Sequence, residues 1–274
     1  MPSDLFSLAY WRACLPPELA EKIRGVERTD TGHHSVIGLT TFEDGLWFAK
    51  FAQASHVQHE SEVIQQLRAN KGTHALAPKL IHASHQQGLL ITQACKGQHP
   101  SKPDWQLNLD SFLASLLALH NRLHKQAISL PHQPSPRFEL FAANPDAGFA
   151  KAFEAAKRRA LTTKPHLGLL HGDVNPKNLL LDDAKWCLID WEYAHIGDKH
   201  WDLASLAVEL DLTGDEYLGL IHRYCAMGNL EFNAFFATAD DWLVLYINIC
   251  LGWCHEFGQP GDKYWRFYRR YFSG

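Results

Sequence analysis

Residues 169–202, LLHGDVNPKNLLLDDAKWCLIDWEYAHIGDKHWD, decide how this chain is read. Leu179, Leu180 and Leu181 form a short apolar run. Asp182, Asp183, Ala184 and Lys185 are turn-like, and Trp186, Cys187, Leu188 and Ile189 form a second run, so the segment predicts a β-hairpin. Antiparallel pairing across that turn sets Asn178 and Asp190 side by side at its open end, with Asp173 one loop upstream. Mg²⁺ takes oxygen ligands, commonly one or two carboxylates completed by water and phosphate. Asp190 and the amide oxygen of Asn178 supply two such ligands. Asp173 then remains free to receive or orient the proton of an attacking hydroxyl.

The spacing His171-Gly172-Asp173-x-x-x-x-Asn178 is that of a kinase catalytic loop, in which the Asp is the base and the Asn holds a metal. Asp190 falls where the metal-binding Asp of a DFG motif would fall. An H-G-D alone is equally a polar surface turn. Followed by the spaced Asn, a hairpin and I-D-W-E, it predicts phosphotransfer machinery, with residues 173, 178 and 190 gathered about one divalent ion.

Upstream residues fit the same chemistry. Leu46–Phe51, LWFAKF, is an aromatic-rich strand containing Lys50, which needs either a partner or an exit to solvent. Residues 56–69 carry Val57, Glu60, Ile64 and Leu67 at helical spacing, with Glu60 on the inward side. An inward carboxylate close to an inward lysine predicts an ion pair orienting Lys50 toward the α- and β-phosphates of ATP; an edge-strand surface lysine is the plainer alternative. Residues 29–36 read as a polar turn, in the place where a loop would cover the phosphates. Residues 77–81 and 88–92 read as short strands. Gln93-Ala94-Cys95-Lys96-Gly97 breaks that pattern as a hinge whose backbone groups bind adenine, with Gln93 and Cys95 among the nucleotide-contacting positions. Residues 98–108 read as a linker and 109–125 as an amphipathic helix on which His120 and His124 are satisfied core or boundary residues. Residues 126–150 read as loop and 151–161 as a solvated helix. Only eleven residues separate Asp190 from Asp202. That leaves no room for a peptide-holding activation segment, so the acceptor is expected to be small.

Composition sets the remaining bounds. The formal net charge of −4 argues against a nucleic-acid surface. The first residues lack a charged region followed by an apolar one, and residues 242–253 are too short and interrupted to span a bilayer. The expected setting is therefore the cytoplasm, with no membrane partner. Six cysteines without a CxxC pattern read as small buried hydrophobes and not as a disulfide framework. The pairs His56/His59 and His82/His85 lack a third metal ligand and read as solvated.

Lys50, the Glu60-x3-Ile64-x2-Leu67 helix, the Leu116-Leu117-Ala118-Leu119-His120 helix, HGDVNPKN and IDWEYAHIGDKHWDLA together resemble the aminoglycoside phosphotransferase and choline kinase superfamily. The resemblance implies an α+β, bilobal, protein-kinase-like fold: a small β-rich N-lobe (residues 1–92), a hinge (93–97) and a larger, mainly helical C-lobe (98–274). It implies ATP and Mg²⁺, Asp173 as base, Asn178 and Asp190 as metal ligands, Lys50 on the ATP phosphates, and Asp202 bracing the catalytic loop. DWEYA is more similar to choline, ethanolamine and thiamine kinases than to antibiotic-modifying enzymes. LGWCHEFGQPGDKYWRFYRRY is most similar to bacterial thiamine kinases. The implied activity is phosphorylation of a small cationic alcohol such as thiamine; choline, ethanolamine or an aminoglycoside are alternative acceptors, and an inactive kinase-like binding module is the alternative of another class.

Physical reading of the C-terminal region agrees in part. Trp242, Tyr246, Ile249, Trp253 and Glu256 share one helix face. Aromatic faces beside a carboxylate suit a cationic ligand, and an aromatic core stripe ending in a paired Glu is the alternative. Glu192 is placed to assist the metal or to face the acceptor.

Overall fold

The computed structural model describes residues 5–29, 36–124, 139–140 and 147–272. Residues 30–35 of the expected phosphate-covering turn, and most of the expected loop at 126–150, lie outside them. The helices are α1 (Leu8–Cys14), α2 (Pro17–Ala20), α3 (Ala54–Arg68), α4 (Lys102–His120), α5 (Ala147–Thr162), α6 (His200–Glu209), α7 (Gly214–Gly228), α8 (Phe232–Phe236), α9 (Ala239–Glu256) and α10 (Asp262–Phe272). The strands are β1 (Ile23–Arg28), β2 (Val36–Thr41), β3 (Leu46–Phe51), β4 (Leu80–Ser84), β5 (Leu89–Gln93), β6 (Leu167–Leu170), β7 (Leu179–Asp182), β8 (Lys185–Leu188) and β9 (His195–Asp198). The chain is α+β, with the sheet-rich part N-terminal and the helical part C-terminal. It divides into two compact units, one of Met1–Gln98 with Leu180–Glu192, the other of His99–Leu179 with Tyr193–Gly274.

The first unit is built on an antiparallel sheet ordered β1-β2-β3-β5-β4. Alternation along β3 sorts its side chains. Trp47 and Ala49 are buried with Trp11, Ile23, Leu39 and Ile91, and Phe51 packs on that core. Each large, fully buried aliphatic side chain there contributes roughly 1.5–3 kcal/mol. Lys50, one residue out of phase, points to the opposite face, where α3 presents Glu60. The β7–β8 hairpin turns on Asp183 and Ala184, both left-handed (φ 46° and 61°), as a two-residue hairpin loop matching strand twist requires.

That hairpin falls in the same compact unit as the N-terminal residues. Its ties within that unit are specific. Leu188 N donates to Leu76 O (2.8 Å), and Gln98 and Leu181 form a β-bridge. Gly97 (φ +103°) allows this approach, since a Cβ there would lie 2.4 Å from Leu181 O. Cys95 is disulfide-bonded to Cys187. This corrects the expectation of six unpaired cysteines: the bridge brings together two residues far apart in sequence, a proximity that spacing alone does not reveal.

In the second unit, α4 begins inside the stretch expected to be a linker. Ser101 Oγ accepts from Asp104 N, Ser101 N donates to Asp104 Oδ2 (2.8 Å), and Pro103 sits in the first turn. This capping box satisfies orphan amides at the helix start. Phe112, Leu113, Leu116 and Leu119 then enter the core. Helix α9 packs against α5 and α6, and the Arg159 guanidinium grips the buried Asp241 carboxylate. The apolar stretch is longer than residues 242–253. Phe232–Glu256 is long and apolar enough by composition to cross a bilayer, and 72% of its most apolar window is buried inside the fold, as befits a core helix.

Candidate active site

In the second unit, β6 pairs with β9 and delivers the chain into His171-Gly172-Asp173. The loop is held from below by Asp202, which is fully buried in the first turn of α6. Its Oδ2 accepts from His171 N (2.8 Å) and its Oδ1 from Gly172 N (2.9 Å). His120 Nε2 lies 3.2 Å from Oδ2, and His120 Nδ1 lies 2.6 Å from the Tyr224 hydroxyl. Burial lowers the pKa of His120 and raises that of Tyr224. A neutral imidazole donating to Asp202 and accepting from Tyr224 satisfies all three groups. Burial works against the Asp202 charge, but its hydrogen bonds, including those from His120 and Gly172 N, hold its pKa below the usual carboxylate value.

Gly172 is required on two counts. Its φ is +88°, and a Cβ would meet Tyr193 O at 2.2 Å. Trp201 Nε1 donates to Gly172 O (2.9 Å) and Ser205 Oγ to Val174 O (2.9 Å), so α6 fixes the loop at four points. Asn178 then donates from Nδ2 to Asp173 O (3.1 Å) and Oδ2 (2.7 Å). The loop thus presents a carboxylate and an amide oxygen on a rigid frame.

In the first unit, Lys50 Nζ lies 3.1 Å from Glu60 Oε2, 2.6 Å from Asp190 Oδ1 and 2.9 Å from Glu192 Oε2. Glu60 Oε1 accepts from Trp191 N (3.1 Å), tying α3 to the residue beside Asp190. Burial opposes the charge of Lys50, yet the three carboxylates raise its pKa well above the ordinary value. Burial, with help from Asp190, lifts Glu60 to about 7 against the pull of Lys50. Ligand atoms of Glu60, Asp190 and Glu192 lie within 4.8 Å of one another. Three carboxylates facing one ammonium form a hard-oxygen donor set with surplus negative charge, which fits a divalent cation such as Mg²⁺. Asp190 itself has φ +64°.

Residues 33–236 match the phosphotransferase enzyme family. This chain belongs to that family. The thiamine kinase of Escherichia coli O9:H4 is 30% identical over 108 residues, covering 39% of this chain and 38% of the relative. The chain covers less than two fifths of the length of the relatives matched by sequence. Among solved structures, choline kinase LicA from Streptococcus pneumoniae superposes with a TM-score of 0.67 at 17% identity, over 91% of this chain and 92% of that one. Amicoumacin kinase hAmiN, in complex with AMP-PNP, Ca²⁺ and Ami, gives 0.71 at 13% identity, over 92% and 90%. The family fold is thus shared nearly end to end.

The remaining expected site residues go separate ways. Gln93 N donates to Lys79 O (2.8 Å) and its side chain to Asp44 O (3.3 Å), while Cys95 is bonded to Cys187. Glu192, for which metal and acceptor are both expected neighbours, pairs with Lys50. Trp253 is 37% exposed and packs on the exposed Phe257, and Glu256 is exposed in the last turn of α9. The stripe is buried through Trp242 and Tyr246 and then runs out of the core. The carboxylate that Tyr246 meets is Glu209, a residue the sequence pattern alone did not single out. The spacing Asp202, Ser205, Glu209 (i, i+3, i+7) places it on the same face of α6 as the loop-bracing Asp202 and Ser205, and is the signal that could have found it.

Proposed function

We propose that this chain is an ATP- and Mg²⁺-dependent kinase that phosphorylates the hydroxyl of a small cationic alcohol, thiamine foremost. The observation that carries this reading is Asp173, held 2.7 Å from Asn178 on a loop whose amides are bonded to the buried Asp202. A carboxylate so fixed serves as the base that orients the acceptor hydroxyl for in-line attack and takes up its proton. Asn178 and Asp190 would hold Mg²⁺, which supplies charge neutralisation at the transferring phosphates. Lys50, kept cationic and oriented by Glu60, binds the α- and β-phosphates, and backbone groups of residues 93–97 bind adenine.

Support for a cationic acceptor comes from Glu209, whose carboxylate meets the hydroxyls of Tyr246 and Tyr264. Carboxylate and aromatic faces together favour a quaternary or aromatic cation. An ADP-release assay over thiamine, choline, ethanolamine, sugars and aminoglycosides tests the proposal. Turnover is expected with thiamine or another cationic alcohol. Asp173→Asn should keep folding and ATP binding while losing about 10²-fold or more in kcat. Equal turnover by that variant would overturn the assignment of the base.

A further inference from the structure

Helix α6 ends at Glu209, and three donors from α9 and α10 converge on it. Tyr246 Oη and Tyr264 Oη lie 3.3 and 3.1 Å from Oε1, and Lys263 Nζ lies 2.6 Å from Oε2. The cluster adjoins the catalytic loop. Trp201 and Ser205, on the same helix as Glu209, donate to Gly172 O (2.9 Å) and Val174 O (2.9 Å) of that loop. The Tyr246 ring stands edge-on to Trp201 at 5.3 Å.

Lys263 already makes both contacts that a cationic ligand seeks. Its ammonium touches the carboxylate, and it lies 5.5 Å from the centroid of the Tyr264 ring. The two partners differ in freedom. The Glu209 side chain is 14% exposed and the Lys263 side chain 39%. A lysine stem can carry its charge into water, whereas the carboxylate is held by two hydroxyls. Lys263 also sits in the first turn of α10, where the helix dipole disfavours a cation. The ammonium is therefore the replaceable member of the pair.

Resting on the cationic-acceptor reading of the same site, we infer that Lys263 occupies the seat of the acceptor's cation, and that its displacement makes it a specificity-determining residue. An acceptor must out-compete a tethered ammonium, so weakly interacting or uncharged alcohols are rejected. The seat is competent only when Lys263 has left it, which weakens apparent affinity by the fraction of time it is vacant.

Lys263→Met keeps the stem and removes the charge. Calorimetric titration with tetramethylammonium, without ATP, should give a Kd about fivefold lower than wild type, the scale of one partly exposed ion pair. Glu209→Gln should abolish this gain in the double variant, separating local competition from a general change in net charge. In turnover, Lys263→Met should lower KM for the cationic alcohol by a similar factor, with the change concentrated in KM over kcat. For dimethylbutanol, the uncharged carbon isostere of choline, KM should not fall. Tetramethylammonium binding unchanged or weakened by Lys263→Met, or a gain that survives Glu209→Gln, would overturn the inference. If wild type phosphorylates no cationic alcohol, the acceptor reading fails, and the tetramethylammonium titration still decides whether Lys263 guards a cation seat.

Discussion

Replacing Asp202 should undo the loop at His171-Gly172-Asp173 and, with it, much of the stability of the second unit. The carboxylate is fully buried and accepts from His171 N at 2.8 Å, Gly172 N at 2.9 Å and His120 Nε2 at 3.2 Å. Asp202→Ala leaves two backbone amides and an imidazole N–H without an acceptor, and each such buried donor costs about 1–3 kcal/mol. Partial relaxation and water entry make the sum less than additive, so a loss of about 3–5 kcal/mol is expected. For a chain of this size each kcal/mol moves Tm by about 2–4 °C, which gives a drop of at least about 6 °C. Asp202→Asn keeps the shape and one acceptor but turns an NH₂ toward a donor, so it should fall between wild type and alanine. Differential scanning fluorimetry, with urea titration to separate the midpoint from the slope, measures both variants. An Asp202→Ala protein melting within about 2 °C of wild type would refute the claim that this carboxylate holds the loop.

Other perturbations follow from the same geometry. Gly172→Ala places a Cβ 2.2 Å from Tyr193 O at a φ of +88°, so it should destabilise by well over about 1 kcal/mol; a wild-type melting curve would contradict this. Burial holds the pKa of His120 below the ordinary histidine value of 6.5. Its contribution to stability is therefore full above that value and is lost as pH falls and the unfolded chain takes up the proton. His120→Gln should flatten the dependence of Tm on pH in that range, and an unchanged slope would contradict it. Lys50→Met leaves Glu60, Asp190 and Glu192 facing one another without an ammonium. The variant should be destabilised by about 2–4 kcal/mol, and added Mg²⁺ should raise its Tm more than that of wild type. Equal Mg²⁺ shifts would count against those carboxylates as a cation site.

Patterns local in the chain are the most legible. The β3 alternation that buries Trp47 and Ala49 necessarily turns Lys50 to the other face, and the α3 stripe fixes Glu60 inward, so their meeting follows from two periodicities. Asp173 and Asn178 are five residues apart, and a single 3₁₀ turn at Pro176–Asn178 brings them together. The start of α4 is encoded too, but Ser101-Lys102-Pro103-Asp104 resembles a proline-containing linker as closely as a cap. Other features depend on docking. Helical spacing places Trp253 and Glu256 on the face of Tyr246, but it does not say where along its length a helix leaves the core. The Glu209 cluster joins α6, α9 and α10 across a sequence separation of 54 between Glu209 and Lys263. The Cys95–Cys187 pair depends on a bridge between a loop and a hairpin that neither segment encodes alone.

Asp190 holds its carboxylate on a left-handed backbone, φ +64°, a region most side chains enter only at a cost and glycine enters freely. Under the metal-binding role proposed for Asp190, backbone ease and chemistry pull in opposite directions at this position. Glycine would relieve the backbone but give up both the ion pair with Lys50 and the proposed ligand. The aspartate would then mark where this fold accepts a small conformational penalty for the proposed reaction.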